Sequence, residues 1–93
     1  MRGWKIDKIA KKTIIVYILK ILYCYSSSEY PVTQTYIAKY LNDIDIPCDR
    51  KTVGRNIQYL IAMGLPIIKS QGTKRGYYYD IKNDKFFIRK NKL

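Results

Sequence analysis

Asp49 is followed by Arg50, Lys51, Thr52 and Arg55, and one turn further on by Gln58 and Tyr59. A helix turns 100° per residue, so Val53, Ile57, Leu60 and Ile61, at i, i+4, i+7 and i+8, share one side. That leaves Lys51, Thr52, Arg55, Gln58 and Tyr59 on the other. Guanidinium, ammonium, hydroxyl and amide groups grouped this way are the donors that read base edges in a duplex groove, an arginine pairing bidentately with guanine. The first half of such a helix enters a groove deepest, which makes Lys51, Thr52 and Arg55 the leading base-edge candidates, with Gln58 and Tyr59 behind them. Arg50 lies closer to the side and suits a phosphate.

Further cations, Lys69, Lys74 and Arg75, fall on a segment that reads as a β-hairpin. Two basic elements then point the same way, and the hairpin cations suit the backbone or the minor groove. Thr33 and Gln34, at the start of the preceding helix, complete the phosphate candidates. Two rival readings are a helix face that is merely solvated and a basic surface that docks on an acidic protein partner or a nucleoprotein assembly.

Eighteen Lys and Arg against seven Asp and Glu give a net charge of +11 with no histidine, which favours a polyanionic partner. A 47% hydrophobic composition is ample for a core and argues against global disorder. The same composition opposes catalysis. There is no histidine, Glu29 is the one glutamate, and no Gly-rich phosphate loop or paired nucleophile and base occurs. Cys24 and Cys48 are far apart with no Cys-x-x-Cys pair, and Asp43 and Asp45 read as loop solvation, so no metal and no other cofactor is expected. The two cysteines read as reduced, mostly buried small apolar residues.

The elements that must position these side chains follow from periodicity. Ile6, Ala10, Ile14, Tyr17, Ile18, Ile21 and Leu22 form a stripe on a first helix of about 5–25. Ser26 to Ser28 end it, and Pro31 bars its continuation. Val16 and Tyr23, on its other side, are candidate contacts of a homodimer. Thr33 is the expected N-cap of a second helix, about 34–42, with Ile37, Ala38 and Leu41 inward. Ile44 and Ile46 are expected to plug the core from the loop that follows. Asp49 caps the third helix, about 50–63, and Gly64 supplies a left-handed C-terminal residue. Leu65 to Ser70 and Tyr77 to Ile81 pair as strands around a turn at 71–76, so the hairpin spans about 65–81. Lys85 to Arg89 reads as a third short strand within a basic tail, 82–93. The whole, 1–93, reads as a single domain.

Arg-Lys-Thr-Val-x-Arg-x-Ile-x-x-Leu from Arg50, then Gly-Leu-Pro-Ile-Ile from Gly64, then Gly-Tyr-Tyr from Gly76, resembles the N-terminal winged-helix domain of bacterial DeoR-like and WYL-domain transcriptional regulators. The resemblance spans about residues 33–79. It implies an α+β winged helix-turn-helix of three helices plus a C-terminal β-hairpin wing. It further implies that Arg50, Lys51, Thr52 and Arg55 lie on a recognition helix facing DNA. Asn56 stands where the family has an acidic residue and Gly54 where it has a bulky aromatic. No effector domain follows Leu93, so a stand-alone DNA binder without a small-molecule ligand is expected.

Alternation places Tyr77 and Tyr79 on one face and Tyr78 on the other, and most of the ten tyrosines read as structural rather than as stacking platforms. Arg2 to Tyr25 imitates a signal peptide only loosely. Lys20 interrupts its apolar run and no cleavage site follows, so no membrane partner and a cytoplasmic location are expected. Heavy use of Lys, Ile, Tyr and Asn points to an AT-rich bacterial, phage or plasmid genome.

Overall fold

The computed structural model describes residues 2–84, with side chains described from residue 13 onward. Helix α1 runs Arg2–Tyr25, α2 Gln34–Asp43 and α3 Arg50–Ala62. Strands β1, Ile67–Lys69, and β2, Tyr77–Tyr79, follow, and a 3-10 turn covers Ile81–Asn83. The strand expected at Lys85 to Arg89, and Ile6 and Ala10 on the first stripe, lie outside the described residues or side chains.

Each helix forms where its stripe predicts. Ile14, Ile18, Ile21 and Leu22 of α1, Ile37, Ala38 and Leu41 of α2, and Val53, Ile57 and Leu60 of α3 are all buried in one core with Leu65, Ile67, Tyr77 and Tyr79. Truncating one of the fully buried members to alanine costs about 2–5 kcal/mol. Ile61 packs half-buried at the margin. The caps are as expected: the Thr33 hydroxyl accepts from the Tyr36 N–H at 3.0 Å, and the Asp49 carboxylate from the Thr52 N–H at 2.8 Å. Gly64 follows α3 at φ +96°, a conformation that costs a residue with a Cβ but not glycine.

The connection between α2 and α3 departs from expectation at one residue. Ile46 is buried, but Ile44 is 41% exposed. Ile44 sits at the α2 C-cap, where its N–H closes the last turn on the Tyr40 and Leu41 carbonyls, and Asp45 then takes a left-handed φ of 67°. That reversal turns Ile46 inward and leaves Ile44 outside. Asn42 fixes the connection by donating to the Ala38 and Cys48 carbonyls, each at 2.7 Å.

β1 and β2 are antiparallel, with Ile67 opposite Tyr79, Ile68 opposite Tyr78 and Lys69 opposite Tyr77. Tyr77 and Tyr79 are buried and Tyr78 is half-buried, as alternation requires. β2 ends at Tyr79 rather than reaching Ile81, because the chain bends at Asp80 into the 3-10 turn and leaves Ile81 exposed. A third chain segment joins the sheet from an unexpected place. Val32, just before α2, exchanges hydrogen bonds with Tyr77 across the outer side of β2, at 2.8 and 2.7 Å. α1 packs against α3, α2 and β2, and the Ser26 hydroxyl at its end donates to the Leu22 carbonyl at 2.5 Å and accepts from the Tyr79 N–H at 2.9 Å. Three helices followed by an antiparallel hairpin make the α+β winged helix-turn-helix that the sequence pattern implied.

Candidate nucleic-acid interface

The outer side of α3 carries Lys51, Arg55, Gln58 and Tyr59 in solvent, opposite the buried Val53, Ile57 and Leu60. Thr52 is half-buried, set back from its neighbours, and its carbonyl accepts from the Asn56 side-chain amide at 2.8 Å. Arg50, Lys51, Arg55, Lys69 and Arg75 make no ion pair with a described carboxylate. The salt bridge among the described residues is Lys39 with Asp43 on α2, at 3.1 Å. Their charge therefore faces solvent uncompensated by a close partner. Asp49 is the nearest countercharge by sequence, and its carboxyl is held below the usual range, first by hydrogen bonds from the Thr52 backbone and side chain and then by the charges of Arg55 and Lys51.

The start of α3, the start of α2 and the wing enclose a groove of about 460 Å³. Its walls are Thr33, Gln34, Thr35, Arg50, Lys69, Ser70, Gln71, Gly72, Arg75, Gly76 and Tyr77. Five of the six residues assigned from sequence to the DNA backbone meet here: Thr33, Gln34, Arg50, Lys69 and Arg75. Three guanidinium or ammonium groups and several hydroxyl and amide donors thus share one concave surface. Thr35, Ser70 and Gln71 were not among the sequence candidates. The Thr33 cap signals that the α2 start leaves free N–H groups near Thr35, but nothing in the sequence brings Ser70 and Gln71 beside them.

The sixth residue, Lys74, lies elsewhere. Its ammonium donates to the Glu29 carbonyl at 2.9 Å and sits 4.7 Å from the centre of the Tyr30 ring. It is turned toward the α1–α2 connection and does not line the groove.

Gly54 has a local explanation. An added Cβ would fall 2.7 Å from the Gln34 side-chain nitrogen, which donates to the Arg50 carbonyl at 3.1 Å. The close approach that glycine permits is therefore made by the second helix. Gly76 is tighter still. At φ +128°, its Cβ would stand 2.4 Å from the Val32 carbonyl oxygen, which is backbone and cannot move aside.

The tyrosines divide. Tyr79 is buried with its ring edge-on to Tyr23 at 5.0 Å, and its phenol lies against the Asp84 carboxylate. Burial first and Asp84 second push that phenol well above its ordinary value. Tyr23 is thus engaged within the chain, while Val16, the other candidate dimer contact, is 60% exposed. Tyr23, Tyr25, Tyr30, Tyr36 and Tyr59 are exposed, half of the ten, although Tyr23 packs its ring on Tyr79. The Tyr25 and Tyr40 rings lie 6.1 Å apart, and the hydroxyl bond between them raises the Tyr40 phenol.

Both cysteines are free. Cys24 is exposed, contrary to the expected burial, because it follows Leu22 and Tyr23 around the helix to the solvent side. Cys48 is half-buried, and desolvation raises its thiol before the neighbouring Asp49 adds to the shift. Among the described residues no helix is long and apolar enough to cross a membrane.

A family model described as an HTH domain matches residues 18–78, from the middle of the first helix to the second strand. No curated protein and no solved structure matches the chain.

Proposed function

The chain belongs to the HTH domain family, and from that premise we propose that it binds specific double-stranded DNA sequences as a small transcriptional regulator. In this reading α3 enters the major groove with Lys51, Thr52, Arg55, Gln58 and Tyr59 toward the base edges. Arg50, Thr33, Gln34, Lys69 and Arg75 line the track of a phosphate backbone. The observation that carries the reading is the shared groove: cations from α3 and from the wing, distant in sequence, face one concave surface with no described carboxylate paired to them.

The helix-turn-helix class supports DNA as the partner. Arg55 suits base reading because it projects from the exposed side of α3 within its first half. Arg50 suits backbone contact because it lines the groove. A homodimer through the outer side of α1 would place two such helices on two half-sites, and Val16 is its best-exposed apolar contact.

Titration of a duplex with the protein over a range of salt concentrations tests the proposal. The three groove cations, Arg50, Lys69 and Arg75, each neutralising one phosphate, would give a log–log salt slope of roughly −3. Selection of bound duplexes from a random pool should return a recurrent motif, palindromic if the protein acts as a dimer. Absence of duplex binding at low salt would overturn the proposal.

A further inference from the structure

Lys74 is the wing cation that the groove lacks, and its surroundings give it another task. Its ammonium is seated on the Glu29 carbonyl at 2.9 Å and lies 4.7 Å from the Tyr30 ring centre. The seat is itself braced. Ser27 and Tyr30 exchange backbone hydrogen bonds at 3.2 and 3.0 Å, and the Tyr30 N–H lies 3.1 Å from the Ser27 hydroxyl oxygen. The other end of Lys74 is fixed too, since its carbonyl accepts from the Ser70 hydroxyl at 2.7 Å across the wing turn. Two further contacts join the same two segments: the Val32–Tyr77 bridge and the close seating of Gly76 on Val32.

We infer that Lys74 is a positioning residue, which ties the wing tip to the α1–α2 connection and so sets the angle at which Lys69 and Arg75 face α3. The inference rests on the DNA-binding reading only for its effect on affinity. The chemistry is specific. A two-stranded hairpin with three residues to a strand is marginal on its own. The bridge at Tyr77 anchors the base of the wing and leaves the turn at 71–76 without a backbone pairing to the rest of the fold among the described residues. A long lysine can span from that turn to the connection, where a carbonyl takes one of its three N–H donors and an aromatic face supports the charge. To neutralise a phosphate outside this seat, the ammonium would have to leave both partners.

Two signatures separate positioning from phosphate contact. Removing a phosphate contact lowers the salt slope by about 0.9. Removing a tether weakens binding at every salt concentration and leaves the slope alone. Duplex titrations of Lys74→Ala, Tyr30→Ala, the double variant and Arg75→Ala decide between them. Lys74→Ala and Tyr30→Ala should each weaken binding by about threefold to tenfold with an unchanged slope, and the double variant should be no weaker than the worse single one. Arg75→Ala should lose slope. A slope loss in Lys74→Ala equal to that in Arg75→Ala, with Tyr30→Ala without effect, would overturn the inference.

Amide hydrogen exchange across Ser70 to Gly76, measured without DNA, keeps the two proposals apart. Exchange should quicken in both single variants whether or not the protein binds a duplex, and unchanged exchange would refute the tether even if DNA binding holds.

Discussion

The third helix and the wing present cations to the same groove but come by their shape in different ways. α3 is specified almost wholly by its own residues: Asp49 opens it, Val53, Ile57 and Leu60 seat it, and Gly64 closes it. The wing has three residues in each strand and takes its support from residues 26–33, through the Ser26 hydroxyl, the Val32 bridge, the Gly76 approach and the Lys74 ammonium. A surface built this way has one wall that is locally determined and one that depends on segments more than forty residues away in the chain. On the DNA-binding proposal, substitutions in the first wall would change what the surface reads, and those in the second where it stands.

The largest expected effect sharpens this contrast through two glycines. Gly76→Ala adds a Cβ against the Val32 backbone at a strained φ and should cost about 3 kcal/mol in urea unfolding, with loss of the wing geometry. Gly64→Ala, strained but with open space around it, should cost only about 1 kcal/mol. Equal losses would mean that the wing is no more dependent on its neighbours than α3.

Next is Arg55→Ala, which should weaken the preferred duplex by about 1–3 kcal/mol and random duplexes far less. Arg75→Ala should weaken both alike. A uniform effect from both would break the division between a reading wall and a standing wall.

Asp49 tests the self-sufficiency of α3. Its folded-state carboxyl titrates below its unfolded value, so the stability it contributes is complete above the ordinary carboxylate range and is lost as pH falls through the folded value. Asp49→Ala should therefore lower the unfolding midpoint at neutral pH, and the gap from wild type should narrow in acid. Asp49→Asn, which caps without titrating, should retain most of the stability with less acid sensitivity. A gap that stays constant with pH would remove the charge from the account.

The smallest effect is expected at Gly54→Ala. The gain in helix propensity and the displacement of the flexible Gln34 amide oppose each other, leaving stability within about 1 kcal/mol of wild type. A larger loss would show that the Gln34 bond to Arg50, rather than α3 alone, holds the start of α3.

The same division explains what could be read in the chain beforehand. Periods of three and four, Thr33 and Asp49 as caps, Gly64, and the alternation of Tyr77 to Tyr79 all act within a few residues, and each element they predicted is present. Of the five backbone-contact candidates that meet at one groove, Thr33, Gln34 and Arg50 are oriented by the helical stripes, while Lys69 and Arg75 arrive on a wing held by residues 26–33. The Val32 bridge leaves no trace in the sequence because a single bridging residue has no period. Lys74 reads like the other wing cations because its carbonyl acceptor is a backbone group 45 positions away, which no side-chain pattern announces. Ile44 and Ile46 have the same side-chain type, and only the left-handed turn at Asp45 distinguishes their fates.

The sealing of β2 has a consequence for how the protein behaves at high concentration. A strand at the margin of a small sheet ordinarily offers unpaired amides on which a second chain can add. Here the outward amide of Tyr77 is taken by Val32 and that of Tyr79 by the Ser26 hydroxyl. The tyrosine-rich strand therefore has no template to lend, and Ser26→Ala should expose one, seen as concentration-dependent aggregation of a chain that still folds.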